Sequence, residues 1–195
     1  MSENSPKLVL ASGSPRRKIL MEEAGFVFSV VPPQNDEVED NSMDVRDLTA
    51  LNAKLKAEEI AADHGDSIIL AADTLVLLGD RVFGKPKNEA EAKRMLSDLN
   101  GETHQVFTAF CLLRESNGEI FQQAVATDVQ FKKLTSEERD DYHNLINPMD
   151  KAGAYAAQEH GEKIIDQFSG SMTNVIGLPM DEVIVALESE FGLTP

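Results

Sequence analysis

The run from Ile68 to Leu78, IILAADTLVLL, constrains this chain more than any other stretch. It is apolar on both sides of Asp73 and does not alternate, the pattern of a strand covered on both faces of its sheet. Asp73 is the exception within it. A carboxylate buried in such surroundings without compensation is very costly. Three things can compensate it: a cation, a metal ion, or a strand end that opens into a cleft. The last two would make Asp73 a catalytic group. The other reading is a bulge at which Asp73 caps nearby backbone N–H groups.

The elements around this strand give the fold class. Lys7-Leu8-Val9-Leu10-Ala11 reads as a short buried strand, and Ser12-Gly13-Ser14 as a turn. A helix is expected from there, with Ser14 as N-cap and Pro15 at its first position, stopping at Gly25. Val27 to Val31 form a second strand ended by Pro32-Pro33, and an acidic loop from Gln34 to Asn41 follows. Val45, Leu48, Leu51 and Leu55 mark one stripe of a longer helix reaching about His64. After the Asp73 strand, Gly79-Asp80 makes a hairpin turn into Arg81-Val82-Phe83. A helix over 88–99 and two strands near 104–114 and 120–132 come next. Thr135 or Ser136, with Glu138, then opens another helix, which Asn147-Pro148 breaks. Residues 150–177 are rich in Gly and Ser, with a short strand near Ile164-Ile165, and a final amphipathic helix carries Met180, Val183, Leu187 and Phe191. Strands alternate with helices early and hairpins dominate the middle, which predicts an α/β protein with a mixed sheet.

Composition narrows the function. The length of 195 residues suits one domain, or one domain with a sub-lobe. A single cysteine, Cys111, excludes an internal disulfide and four-cysteine zinc sites. The four histidines are scattered, so a metal here is a hard cation on carboxylates rather than zinc on imidazoles. No apolar stretch approaches a membrane span, and MSENSPK lacks a signal peptide's regions; a cytoplasmic setting is expected. A formal charge of −16 argues against a nucleic-acid coat. It does not argue against a small anion, because Lys7, Arg16, Arg17 and Lys18 make the first twenty residues locally basic.

The Ser12-Gly13-Ser14-Pro15-Arg16-Arg17-Lys18 turn stands between a strand and a helix. Free N–H groups at the helix start and two guanidinium forks suit a phosphate. Basic residues there oppose the helix dipole, and that local conflict points to function; the alternative is a capped helix with solvated arginines. Asp36-Glu37 in the acidic loop, Asn52 and Lys56 one helical turn apart, and Lys85 in Gly84-Lys85-Pro86 are further polar groups, each of which can also be ordinary surface. Asp150-Lys151 suggests a local salt bridge, and Gln158 carries the donor and acceptors needed to read a nucleobase edge. Ser169 to Pro179 reads as a polar loop entering the last helix. Cations and carboxylates of this kind are the materials of phosphate chemistry.

SGSPRRKIL, the AADT strand, GKP, LNGETHQVFTA, DKAGAY with Gln158, and VIGLP together resemble the Maf-like nucleoside triphosphate pyrophosphatases, in family order from residue 8 to residue 183. The resemblance implies a single Maf-like pyrophosphatase domain over 1–195, with a curved mixed sheet flanked by helices and a cleft between two lobes, similar to the inosine triphosphate pyrophosphatase fold. It implies metal-dependent hydrolysis of a nucleoside triphosphate to the monophosphate and pyrophosphate, with Mg or Mn as the divalent cation, and a homodimer. By position, Asp73 matches the proton acceptor and Glu37 the acidic residue near the metal; binding the metal, as well as or instead of taking the proton, is the alternative role for Asp73. Lys56 and Lys85 match phosphate-binding lysines, and Ser12 and Arg17 the phosphate turn. Arg16, Thr74 and Gln158 match the set of the dTTP and UTP branch. Hydrolysis of 7-methyl-GTP or another non-canonical nucleotide, or nucleotide binding that regulates cell division, are the alternatives. Relatives follow the glutamine with glycine, whereas Glu159-His160 precede Gly161 here, and SGSMTNVIGLP differs from the commoner glycine-aromatic form.

Overall fold

A computed structural model describes residues 7–40 and 42–195. Residues 1–6, with most of the MSENSPK reading, and Asn41 at the end of the acidic loop lie outside the described residues. The strands are β1 (Leu8–Ala11), β2 (Phe28–Val30), β3 (Ile68–Leu78), β4 (Arg81–Phe83), β5 (Thr103–Arg114), β6 (Glu119–Phe131) and β7 (Ile165–Ser169). They form one seven-stranded sheet in the order β2-β1-β3-β5-β6-β7, with β4 paired to β3. β1 is parallel to both β2 and β3, whereas β3–β4 and β6–β7 are antiparallel. The sheet is therefore mixed, as expected. The helices are α1 (Pro15–Glu23), α2 (Val45–Ala61), α3 (Glu89–Leu99), α4 (Ser136–His143), α5 (Gly161–Ile164), α6 (Met172–Ile176) and α7 (Met180–Phe191).

The chain divides into two compact units. The first holds the described residues up to Asp73, Thr108–Val125 and Gly177–Pro195. Within it, α1 leads from β1 outward to β2, and α2 leads back past β1 to β3. Right-handed crossovers in opposite directions put α1 and α2 on opposite faces of the sheet. One face packs Val9, Ala11, Ile69, Ala71, Ala109 and Cys111 against Ala53, Ala57, Ile60 and Ala61 of α2. Alternate side chains point the other way, and Leu8, Leu10, Ile68, Leu70, Phe110 and Leu112 are buried as well. Burial on both faces explains the unbroken apolar run. It also pushes the Cys111 thiol up to about 12, with the Glu58 carboxylate adding to the shift.

α2 differs from its expected form. It ends at Ala61 rather than near His64, and Leu55, which the leucine stripe placed inward, is 41% exposed. The buried side is Val45, Leu48, Thr49, Asn52, Ala53, Ala57, Ile60 and Ala61. Alanines let the helix approach the sheet closely, so small residues define the packed face where leucines were expected to.

The second unit comprises Thr74–Phe107 and Ala126–Ile176. Its core joins Val76, Phe83, Leu96, Leu99, Val106, Val129, Phe131, Tyr142, Tyr155 and Ile164. α3 is capped by Asn88, whose side chain accepts from the Glu91 N–H, and α4 opens on the expected capping box between Thr135 and Glu138. β7 begins at Ile165, because Ile164 of the expected pair closes α5, and it runs on to Ser169 through residues too polar to read as a strand. The polar loop after it is anchored. Asn174 Nδ2 donates to Val106 O and Thr127 Oγ1, Thr127 Oγ1 accepts from the Ser171 N–H, and a Cβ at Gly170 would sit 2.7 Å from Thr127 Oγ1.

Candidate active site

The register of β1 on β3 gathers the first group of residues. Leu8 to Ala11 pair in parallel with Ile68 to Ala71. The chain leaves β1 at Ser12 just where β3 reaches Ala72 and Asp73. Because β2 and β3 flank β1, this is the point where the strand order reverses, and ligands bind at the carboxyl ends of parallel strands there. Ser12 is buried, and its hydroxyl accepts from the Ser14 N–H at 3.2 Å and from Arg17 Nη1 at 3.1 Å. Ser14 occupies the N-cap position as expected, yet its side chain makes no cap bond.

Arg17 is buried and ties three segments together. Its Nη1 also donates to Ala72 O at 2.9 Å and its Nε to Gly177 O at 2.8 Å. Burial pulls its pKa below the ordinary arginine value, Asp73 opposes that pull, and Arg16 adds to it. Arg17 is thus a fixed cation at the turn rather than a solvated one, and Arg16 beside it is half-buried.

Asp73 is compensated by a cation. Its Oδ1 is 2.6 Å from Lys56 Nζ, and Glu37 Oε1 lies 2.6 Å from the same nitrogen. The Asp73 side chain is 4% exposed and that of Glu37 is 37% exposed, so the triad runs from the interior to the surface. A buried ion pair of this kind is weak support for stability, because apolar residues of similar volume often serve as well or better. Its presence in an otherwise apolar strand points to chemistry. Asn52, one turn before Lys56, completes the surroundings. Its Oδ1 accepts from the Val38 N–H at 2.8 Å, and its Nδ2 donates to Val38 O at 3.2 Å and reaches Asp73 Oδ2 at 3.5 Å.

The remaining predicted residues, Thr74, Lys85 and Gln158, belong to the second unit. Thr74 is half-buried on β3 and Lys85 is exposed in the turn after β4. That turn is tied to the DKAGAY segment, since the Gly153 N–H donates to Gly84 O at 3.1 Å. Gly153 has φ +69°, and a Cβ there would meet Val76 Cγ2 at 3.2 Å and Leu99 Cδ1 at 3.3 Å, so both conformation and space call for glycine. Lys151 is buried and bonds Asp150 and Asn147 O, both at 2.9 Å, as the expected local salt bridge. Sequence reasoning missed Glu159. Its Oε1 accepts from Gln158 Nε2 at 3.2 Å and lies 3.7 Å from Lys151 Nζ. Glu59 was missed too, although it continues the Asn52–Lys56 spacing along α2. Its carboxylate accepts from the Gln34 N–H at 2.6 Å and the Asn35 N–H at 3.2 Å.

A family model described as Maf-like protein matches residues 7–190. The chain belongs to the Maf-like family. Among Maf-like relatives, a dTTP/UTP pyrophosphatase of Akkermansia muciniphila is 44% identical over 182 residues, covering 93% of this chain and 95% of that one. A dTTP/UTP pyrophosphatase of Bdellovibrio bacteriovorus is 42% identical over 183 residues, covering 91% and 95%. The solved structure of a HAM1 protein from Coxiella burnetii matches 65% of this Maf-like chain and 73% of its own, at 18% identity and a TM-score of 0.47.

Two hard oxygen donors, Glu37 and Asp73, both lie 2.6 Å from Lys56 Nζ, so a metal ion held by the pair would take up the position beside that ammonium or displace it. The pair suits a cation such as Mg²⁺, which takes one or two carboxylates and fills its shell with phosphate oxygens and water. No group of three or more His, Cys, Asp and Glu side chains gathers among the described residues, so such an ion would need those outside ligands.

Proposed function

We propose that the chain is a hydrolase that cleaves dTTP and UTP, and modified uridine triphosphates of the same class, to the nucleoside monophosphate and pyrophosphate. The relatives named dTTP/UTP pyrophosphatase, 44% and 42% identical across nearly the whole length, carry this reading. Asp73 beside Lys56 supports it, since a mere binder has no use for a buried base. Water attacks the α-phosphorus. The new bond joins water oxygen to that phosphorus, the α–β bridging bond breaks, and pyrophosphate leaves. Asp73 takes the water's proton. Ser12, Arg16 and the start of α1 hold phosphate oxygens, Arg17 fixes positive charge at the turn, and Lys56 and Lys85 neutralise the triphosphate. Glu37 and Asp73 are the residues for a divalent cation, Mg or Mn. When bound, it neutralises phosphate charge and acidifies water, which an ordinary aspartate is too weak a base to deprotonate unaided.

Thr74 and Gln158 are proposed to set base preference. With Gln158 Nε2 turned to Glu159, its Oε1 is presented as an acceptor. That suits the N3–H donor of uracil or thymine and not the N3 acceptor of cytosine. Residues 1–195 act as one functional domain in this proposal, as a cytoplasmic homodimer; a sedimentation mass equal to one chain would remove the dimer. No helix among the described residues is long and apolar enough to cross a membrane.

The decisive experiment incubates the chain with dTTP, UTP, 7-methyl-GTP and ATP plus Mg²⁺ or Mn²⁺ and measures monophosphate and pyrophosphate. Pyrophosphate from dTTP and UTP in preference to the purines is expected. Preference for 7-methyl-GTP would change the substrate, and nucleotide binding without turnover would favour a regulator. Gln158→Ala should narrow the ratio of rates between bases without changing the metal requirement. Equal loss on every nucleotide would remove its base-reading role.

A further inference from the structure

We infer that Asn52 is a positioning residue that sets the acidic loop, and with it Glu37, against Asp73. Three residues on one stripe of α2 meet that loop, at the i, i+4, i+7 spacing that puts side chains on one helix face. Glu59 receives the N–H groups of Gln34 and Asn35, Lys56 pairs with Glu37, and Asn52 brackets the backbone of Val38. Asn52 differs from the other two. It is 2% exposed, and it alone of the three contacts both the loop backbone and the carboxylate of Asp73. Only one orientation of its amide meets all three contacts. Oδ1 must face the Val38 N–H, and Nδ2 must face both Val38 O and Asp73 Oδ2. Both oxygens of Asp73 are then engaged from the same helix, Oδ1 by Lys56 and Oδ2 by Asn52. Glu37 is adjacent to the clamped residue, so the Val38 pair fixes the backbone from which its side chain reaches Lys56. Asn52 touches no reacting atom. It acts through Glu37 and Asp73, and its kinetic consequence rests on the pyrophosphatase reading.

The test uses the full chain with Asn52→Leu, Asn52→Asp, and Lys54→Ala as a control. Lys54 lies on the same helix, paired with Glu58, with its side chain 41% exposed. Amide exchange at Val38 and the kinetics of dTTP hydrolysis are read together. Asn52→Leu removes every polar contact, so exchange at Val38 rises at least about tenfold while β3 stays protected. Asn52→Asp keeps an acceptor for the Val38 N–H but no donor for Asp73, so Val38 stays protected to within about threefold. In both, kcat falls at least about tenfold while KM for dTTP stays within about threefold, the pattern of a lost contact made in the transition state. Lys54→Ala matches wild type. A kcat within twofold of wild type in both Asn52 variants overturns the inference, as does unchanged Val38 exchange in Asn52→Leu. Should Asn52→Leu fail to fold, the near-isosteric Asn52→Asp decides by the same kinetic criterion. Should the wild type release no pyrophosphate from dTTP or UTP, the function falls instead, and the exchange measurements still decide whether Asn52 holds the loop.

Discussion

Asp73 is legible in the sequence because a lone carboxylate in an apolar strand demands a partner. That the partner is Lys56 was not legible, since a helix one crossover earlier supplies it. Asp73→Asn is expected to lower kcat by at least about 10³-fold while the circular dichroism spectrum stays native. It removes the proton acceptor and leaves Lys56 paired with Glu37. Turnover near wild type would show that another group takes the proton. A second residue-scale expectation concerns His104, which the sequence left unassigned. It is 1% exposed, its Nε2 meets the Tyr155 hydroxyl at 2.9 Å, and its ring packs edge-on against Phe131. Burial lowers its pKa to about 4. The folded value lies below the unfolded one, so the unfolded chain binds the proton first as pH falls. Stability from this group is whole above pH 6.5 and drains away toward pH 4, by about 2 kcal/mol at pH 5. Urea titrations at pH 7.5 and pH 5 should show a smaller loss in His104→Phe than in wild type; equal losses would contradict it.

At the scale of elements, signals local to a segment were read well. The Asp73 strand, the hairpin into β4 and the Thr135–Glu138 capping box all stand where turn and cap residues put them. Thr135→Ala is expected to cost about 1 kcal/mol in chemical unfolding. A cost below about 0.3 kcal/mol would mean that the end of α4 is held by something other than its cap. What failed locally was the packed face of α2. Leucine spacing pointed to Leu55, but the sheet selected the alanine side, because closeness of approach depends on what is small and not on what is greasy. β7 was underestimated for a related reason. Its polar residues carry no strand signal, and pairing with β6 supplies the order.

For the whole molecule, composition and alternation gave the mixed α/β class, and the family motifs gave the order of the site residues. The assembly of Ser12, Arg17 and Asp73 needed the register of β1 on β3, which no local pattern encodes. The ties from α2 to the acidic loop, through Asn52 and Glu59, needed tertiary geometry as well. One global expectation follows from the packed sheet. Cys111 is fully buried, with its thiol pushed up to about 12, so iodoacetamide should modify it only as fast as the sheet opens. Labelling in the native state at the rate of a free thiol would refute that burial.

That hidden sulfur has a practical consequence. Asp36→Cys would introduce, on the exposed acidic loop, the sole thiol that a maleimide dye can reach in the native chain. A fluorophore coupled there would report on the surroundings of the acidic loop when nucleotide is added, with no need to engineer the native cysteine away.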